Sequence, residues 1–380
     1  MKDSVVKVLA VKDPAVDVYV LPQYNVLADF KGAVQFDVIP WSSYQAKMTK
    51  ALAGEEDYDV VMVAGHLWLG DLVDAGCLAP IEALEEDIMP ALRQECMYKD
   101  KTYLSPSFCD GHMVVYRKEL LEQVLASPWG AVITPQQYIE AAKQLAQQKN
   151  AGIAPLAMKA HPSEIFTDAL PFMRMQGVDA YDLQTGRANC DNEELITGLE
   201  AYCALKKYAI AGTDMYGNEE VAAAVREKKV AMAVTWSGQL GRIYQEDCLD
   251  RQALGFSTLS TAWNVTWSFA VNARSERQEQ AGQLLRYLRS SGIDAIAGAY
   301  SGAPVRRENY ARGQAEFPWY DCQQQMIERA KLLPVMARAA DKHALFYAEL
   351  AKAFAGEKTP AAAMRAVARE ISPLETCSQG

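Results

Sequence analysis

Histidine is scarce in this chain. Four occur in 380 residues, at positions 66, 112, 161 and 343, and no two have the spacing that would turn a pair toward one metal ion on a helix. Eight cysteines stand at 77, 96, 109, 190, 203, 248, 322 and 377, and the closest neighbours are thirteen apart, so no CxxC metal or dithiol motif exists. Most read as small core residues; the even count permits disulfides of no readable connectivity, while eight thiols in so long a chain argue for a reducing or anaerobic setting. Also missing are GxGxxG, GxxxxGK[ST], GxSxG and HExxH, so phosphate-loop nucleotide binding and the common nucleophile and zinc motifs are excluded. The expectation is a protein with no metal, no cofactor and no catalytic residues.

Positive charge is in deficit: 38 Lys and Arg face 48 Asp and Glu, the net charge is −10 and no basic run occurs. Such a surface repels phosphate backbones, so nucleic acid is not an expected partner. The longest apolar stretch, VVMVAGHLWLG at 60–70, is interrupted by His66 and is too short for the ~20 residues that cross a bilayer. The opening MKDSVVKVLAV alternates like a strand and lacks a basic segment followed by an apolar core, so the chain reads either as cytoplasmic or as one whose leader has been removed. No internal repeat and no low-complexity linker is visible.

What is present is ordinary globular composition, half of it hydrophobic, in a length that suits two domains of ~150 residues or one large one. Strand-like and helix-like segments alternate, the pattern of an α/β protein with a mostly parallel sheet. SVVKVLA (4–10), VQFDVIP (34–40), YDVVMVA (58–64), HMVVYRK (112–118), the end of REKKVAMAVTW (226–236) and SFAVNARS (268–275) read as strands. Tyr44, Met48, Ala51 and Leu52 recur at helical spacing. Thr134, Pro135 and Gln137 form a helix start with a capping box. Phe346, Leu350 and Phe354 share one helix face, and a last helix opening at Thr359-Pro360 turns Met364, Val367 and Ile371 inward.

Several of these segments, taken in order, carry a further signal. YDVVMVAGHLWLGDLVDAGCLAPIEAL, KDKTYLSPSFCDGHMVVYRKELL, TPQQYIEAAKQL, EKKVAMAVTWSG, WSFAVNARSERQEQAGQLLRYLRS, SGAPVRR and AFAGEKTPAAAMRAVAREI resemble successive blocks of the solute-binding proteins of ABC transporters, specifically the carbohydrate-binding family that includes maltose-binding protein. The resemblance covers nearly the whole chain. Departures are Asp100 and Lys228 where the family usually has glycine, Arg117 where it usually has asparagine, and a missing Trp in the capped helix.

The resemblance implies a two-lobed periplasmic-binding-protein-like α/β fold with a ligand cleft between lobes and hinge crossings near Asp110-Gly111, after Trp267 and near 312–316. Lobe one is then 1–110 and 269–313, and lobe two is 111–268 and 314–380. It implies a non-enzyme that captures a sugar or oligosaccharide and delivers it to the permease subunits of an ABC importer. The protein is then a monomer outside the cytoplasmic membrane, free in a periplasm or lipid-anchored at the surface, its leader trimmed. Two alternatives stay open: a binding protein for a polyamine or other small polar solute, and a glycan-acting enzyme with paired carboxylates.

Sugar sites combine flat aromatic platforms with a few oriented polar groups. The candidate ligand-binding residues are therefore Trp41, His66, Trp68, Asp110, Trp236, Trp263 and Trp267. Trp236 and Trp267 match positions that carry stacking aromatics in the family, and Asp110 matches an acidic ligand contact. Lys12 and Asp13 read as a solvated turn, Tyr103 as core, and Arg306 as a contact to an acidic group or to a lobe interface, the interface being favoured.

Overall fold

The computed structural model describes residues 5–148 and 152–376. In chain order the elements that matter here are β1 (Val6–Val11), α1 (Pro14–Val20), β2 (Val34–Ile39), α2 (Trp41–Ala53), β3 (Val60–Ala64), α3 (Gly65–Asp74) and β4 (Leu104–Arg117). Next come β5 (Val132–Ile133), α4 (Pro135–Gln147), β6 (Ala154–Ala157), α5 (Ile165–Met173) and α6 (Glu193–Leu205). The remainder are β7 (Val230–Trp236), β8 (Leu254–Leu259), β9 (Asn264–Asn272), α7 (Gln278–Leu288), α8 (Tyr320–Arg329), α9 (Ala339–Ala355) and α10 (Pro360–Thr376). The chain forms two compact units, residues 1–110 with 265–317 and residues 111–264 with 318–380.

The second and third changes of unit stand four residues away from the 268/269 and 313/314 read from the sequence. Each displacement has a local cause. β9 begins at Asn264, where buried Asn264 and Thr266 interrupt the apolar run and hide the strand's start. After Gly313 the backbone N–H groups of Glu316 and Phe317 donate back to its carbonyl at 2.9 and 2.8 Å, which carries the first unit on past its helix.

In the first unit the sheet order is β2-β1-β3-β9, with β1, β2 and β3 parallel and β9 antiparallel to β3. Valine dominates β1 and β3, whose residues are almost all buried, as expected for central strands covered on both faces. α2 is anchored by Tyr44, fully buried, whose hydroxyl accepts the Met62 N–H at 2.7 Å. Buried Asp59 is saturated at the strand's other end by the Lys7 N–H, Ser275 and the Arg277 guanidinium. Arg306 is likewise internal to this unit: it donates to the Arg289 carbonyl and pairs with Glu85 and Asp87.

The second unit has the order β6-β7-β4-β8-β5, with β6 parallel to β7 and β4 antiparallel to both β7 and β8. Thr134 caps α4 through a capping box with Gln137. Behind the sheet α6 lies against α5 at Gly198, where a Cβ would stand 2.4 Å from the Phe172 carbonyl oxygen, so only glycine permits this approach. Phe346 of α9 stacks on Phe166 of α5 at 4.4 Å, and Met364, Val367 and Ile371 of α10 are buried.

Asp100 and Lys228, which stand where the resemblance expects glycine, both have left-handed backbones, with φ of 60° and 57°. The geometry that glycine would serve is kept although the residue is not. The seven cysteines among the described residues are thiols, five of them buried. Cys377 lies outside the described residues. Among the described residues no helix is long and apolar enough to cross a membrane.

Candidate functional site

Parallel α/β sheets offer ligands the crevice beyond the carboxyl ends of their strands, at the point where the winding reverses. In the first unit that point lies between β1 and β3, because the chain leaves β1 for β2 on one side and returns to β3 on the other. Three loops open there. Lys12 and Asp13 follow β1, Trp41 follows β2 after Pro40, and Gly65 and His66 follow β3. Trp267 of the antiparallel β9 pairs in register with Ala64, the last residue of β3, and so joins the same edge.

The aromatic rings gather at this edge. Trp41 meets Trp267 edge to face, centroids 5.5 Å apart and planes at 86°, and lies 5.5 Å from Trp68. Tyr44 supports Trp68 from below at 6.3 Å, and fully buried Phe108 stacks parallel to Trp267 at 6.4 Å. Trp41 is 39% exposed, Trp267 is half-buried and Trp68 is buried, so the first two present faces and the third is their backing. Asp110 is buried and two residues beyond Phe108 in β4, which puts it on the same side of the strand. His66 is half-buried in the first turn of α3. Asp13 caps α1 by accepting the Ala15 N–H at 2.8 Å, which is the turn role expected of it.

The second unit gathers a different set at the carboxyl ends of β6, β7 and β8. Trp236 closes β7 opposite His112 of the antiparallel β4. Their rings are 4.4 Å apart, and Trp263 meets Trp236 edge to face at 5.6 Å. Lys159, just past the end of β6, holds its ammonium 4.9 Å from the Trp236 ring centroid. That ammonium pairs with Glu164 and, at 3.3 Å, with Asp168. Burial pushes the Asp168 carboxyl up to about 8 against the opposing pull of Lys159, with Glu164 adding to the rise. Burial, reinforced by the Lys159 charge, lowers His112 to about 3, so the ring is neutral.

The structure therefore brings Trp41, Trp68 and Trp267 together in one unit and Trp236 with Trp263 in the other. Trp263 is 2% exposed and Trp236 6%. Phe108, His112, Lys159, Glu164 and Asp168 were not among the sequence candidates. The alternation of Phe108 with Asp110 along one strand was a usable signal for the first. Lys159 stands just past a strand end, as Trp41 does, but nothing local in the sequence ties it to Trp236.

A doubly wound sheet in each of two units, joined by strands that run from one unit into the other, is the architecture of the periplasmic binding proteins. Solved structures agree: maltose-bound MalE3 of T. maritima matches with a TM-score of 0.85 at 18% identity, covering 98% of this chain and 100% of that one. A solute-binding protein of an ABC transporter from Agrobacterium vitis with bound D-mannitol matches at 0.82 and 18%, covering 98% and 99%. The GacH receptor of Streptomyces glaucescens, also solved with acarbose, matches at 0.84 and 19%, covering 98% of each chain. The profile of the bacterial extracellular solute-binding proteins matches residues 20–295. The chain belongs to that family.

Proposed function

We propose that the protein is the substrate-binding component of an ABC importer, that it binds a sugar, oligosaccharide or sugar alcohol, and that it passes this ligand to membrane permease subunits. It works outside the cytoplasmic membrane, in a periplasm or anchored by lipid, as a monomer and without turning its ligand over. The observation that carries this reading is the right-angled pair of Trp41 and Trp267 at the carboxyl edge of the first unit's sheet. Such a pair offers flat apolar faces to the C–H side of a sugar ring. Asp110 supplies acceptors for hydroxyl groups, and Trp236 supplies a further aromatic contact. Maltose, D-mannitol and acarbose in the structural relatives support the same ligand class.

A thermal-shift panel tests the proposal, using maltose, D-mannitol, D-tagatose, ribitol and acarbose beside putrescine and spermidine. A ligand selective for the folded state raises the melting temperature by mass action. The expected result is stabilisation by at least one carbohydrate or polyol, recovered unchanged by chromatography. Stabilisation by polyamines alone, or conversion of the sugar, would overturn the reading.

A further inference from the structure

Pairing of β7 with β4 stops at Trp236, opposite His112, because at Ser237 the chain turns into one turn of 3-10 helix over Ser237–Gln239. The neighbouring residue of β4, Gly111, is buried and opens the second unit. Backbone N–H groups along a strand point alternately toward its two neighbours. The His112 N–H donates to the Trp263 carbonyl at 3.2 Å, so the Gly111 N–H points the other way, toward β7, just past the last ladder pair. The Ser237 hydroxyl accepts it there at 3.0 Å, and Ser237 is fully buried. A buried N–H is costly to leave without an acceptor, so this side chain stands in for the carbonyl that the ladder no longer supplies.

That hydrogen bond holds more than one residue. The Gly111 N–H and the Asp110 carbonyl belong to one planar peptide unit. Fixing the N–H therefore fixes the plane, and with it the torsion on the carboxyl side of the Asp110 α-carbon, from which the side chain projects. The Gly111 α-carbon is enclosed as well: a Cβ there would stand 2.3 Å from Met326 Cε and 3.1 Å from Asn264 Oδ1, so both side chains close over the bare backbone. Asp110, next in the chain, is buried and shares a strand side with Phe108. A carboxylate that reads hydroxyl groups has to be held within roughly 0.5 Å of its working position by groups that do not themselves touch the ligand.

We propose that Ser237 is a positioning residue for ligand binding: its hydroxyl fixes the peptide unit between Asp110 and Gly111 and so aims the Asp110 carboxylate. The proposal rests on the reading of Asp110 as an acceptor for ligand hydroxyls. Ser237 acts through Asp110 and makes no contact with the ligand itself. Its removal loosens that peptide and spreads the aim of the carboxylate, while Asp110 keeps its chemistry.

The test is a double-mutant cycle on the full chain, with maltose, D-mannitol, D-tagatose, ribitol and acarbose as probes in calorimetric titration, beside amide hydrogen exchange at Gly111. Ser237→Ala is expected to speed exchange of the Gly111 N–H and to weaken binding about tenfold, within the range of coupling between residues of one network. Ser237→Thr, which keeps the hydroxyl, should restore affinity to within about threefold of the wild type. In an Asp110→Asn background, Ser237→Ala should cost less than about threefold more. Should Ser237→Ala not fold, Ser237→Cys takes its place, keeping the shape and weakening the acceptor. Lowered melting temperature with unchanged affinity, or the same loss of affinity in both backgrounds, would overturn the proposal and leave Asp110 as a ligand contact. An Asp110→Asn variant that binds as the wild type does, or a wild type that binds none of the five probes, would instead remove the reading on which the proposal rests.

Discussion

Trp41 and Trp267 meet at 86° with their centroids 5.5 Å apart, one ring entering from the turn after an edge strand and the other from the antiparallel strand beyond the sheet's centre. Neither ring can be replaced without uncovering the other. On the scale of binding hot spots, Trp267→Ala or Trp41→Ala is expected to weaken carbohydrate binding by about 2–4 kcal/mol. That is roughly 30- to 1000-fold in affinity. Trp236→Ala is expected to weaken it as well, with a loss of stability because that ring is buried. Trp129 packs on Tyr116 at 5.1 Å in the other unit and is the control; Trp129→Ala should leave affinity within about threefold. Calorimetric titration of the four variants checks this, and equal affinity in all of them would remove the site assignment.

Acid should destabilise the protein through two buried rings. His112 and His343 are both held at about 3 by burial, against 6.5 for an ordinary imidazole. As pH falls below 6.5 the unfolded chain takes up protons that the folded chain refuses until about pH 3, so stability drops across that window. Each ring contributes on the order of 1 kcal/mol per pH unit. His343 packs between Phe166 and Tyr181, and His343→Leu should make the fall shallower by about one proton's worth. Denaturant midpoints across a pH series would show it.

Asp168 acts with the opposite sign. Its folded-state value is raised from 3.8 to about 8, so its contribution is fully present below pH 3.8 and is lost as pH rises toward 8. Asp168→Asn should abolish that loss, making stability flatter between these limits than in the wild type. A variant whose profile keeps the wild-type slope would show that the carboxyl is charged throughout.

Two glycines should differ in what a methyl group does to them. At Gly111 a Cβ would stand 2.3 Å from Met326 Cε, the flexible end of a side chain. At Gly198 it would meet the backbone of Phe172 and Met173 within 2.8 Å. Overpacking of this kind costs about 1–3 kcal/mol, sometimes more. Gly198→Ala should fall at or beyond the top of that range and Gly111→Ala at the bottom, with Met326→Ala relieving the second and not affecting the first. Thermal unfolding of the single and double variants checks the ranking.

Removal of metal should change nothing. No group of three or more metal-capable side chains occurs among the described residues. Protein dialysed against a chelator should keep its full stabilisation by carbohydrate in the thermal-shift panel. Loss of that stabilisation, restored by a divalent ion, would count against a purely organic site.

Much of the architecture was legible because it is written locally. Valine runs mark β1 and β3, and the Thr134-Pro135-Gln137 start marks α4. The start of β9 was hidden because its first residues, Asn264 and Thr266, are polar and buried, so Trp267 read as the entrance to a strand that begins three residues earlier. The candidate site was legible only in part for the same reason. Strand-end position can be read for Trp41 and Trp236, but the meeting of Trp41 with Trp267 depends on sheet order, which no short window contains. The Lys159, Glu164 and Asp168 cluster was missed because a lysine amid acids reads as a solvated surface until burial is known.

The cysteines give the molecule a built-in clock. Burial pushes the thiols of Cys190 and Cys322 up to about 12 and raises Cys96 and Cys109 as well, so almost no thiolate is available to an alkylating reagent while the fold is closed. Cys96 and Cys109 lie in one unit and Cys190 and Cys322 in the other. The rate at which each is labelled is then set by how often its surroundings come apart, and mass spectrometry of the labelled peptides would time the opening of each unit separately.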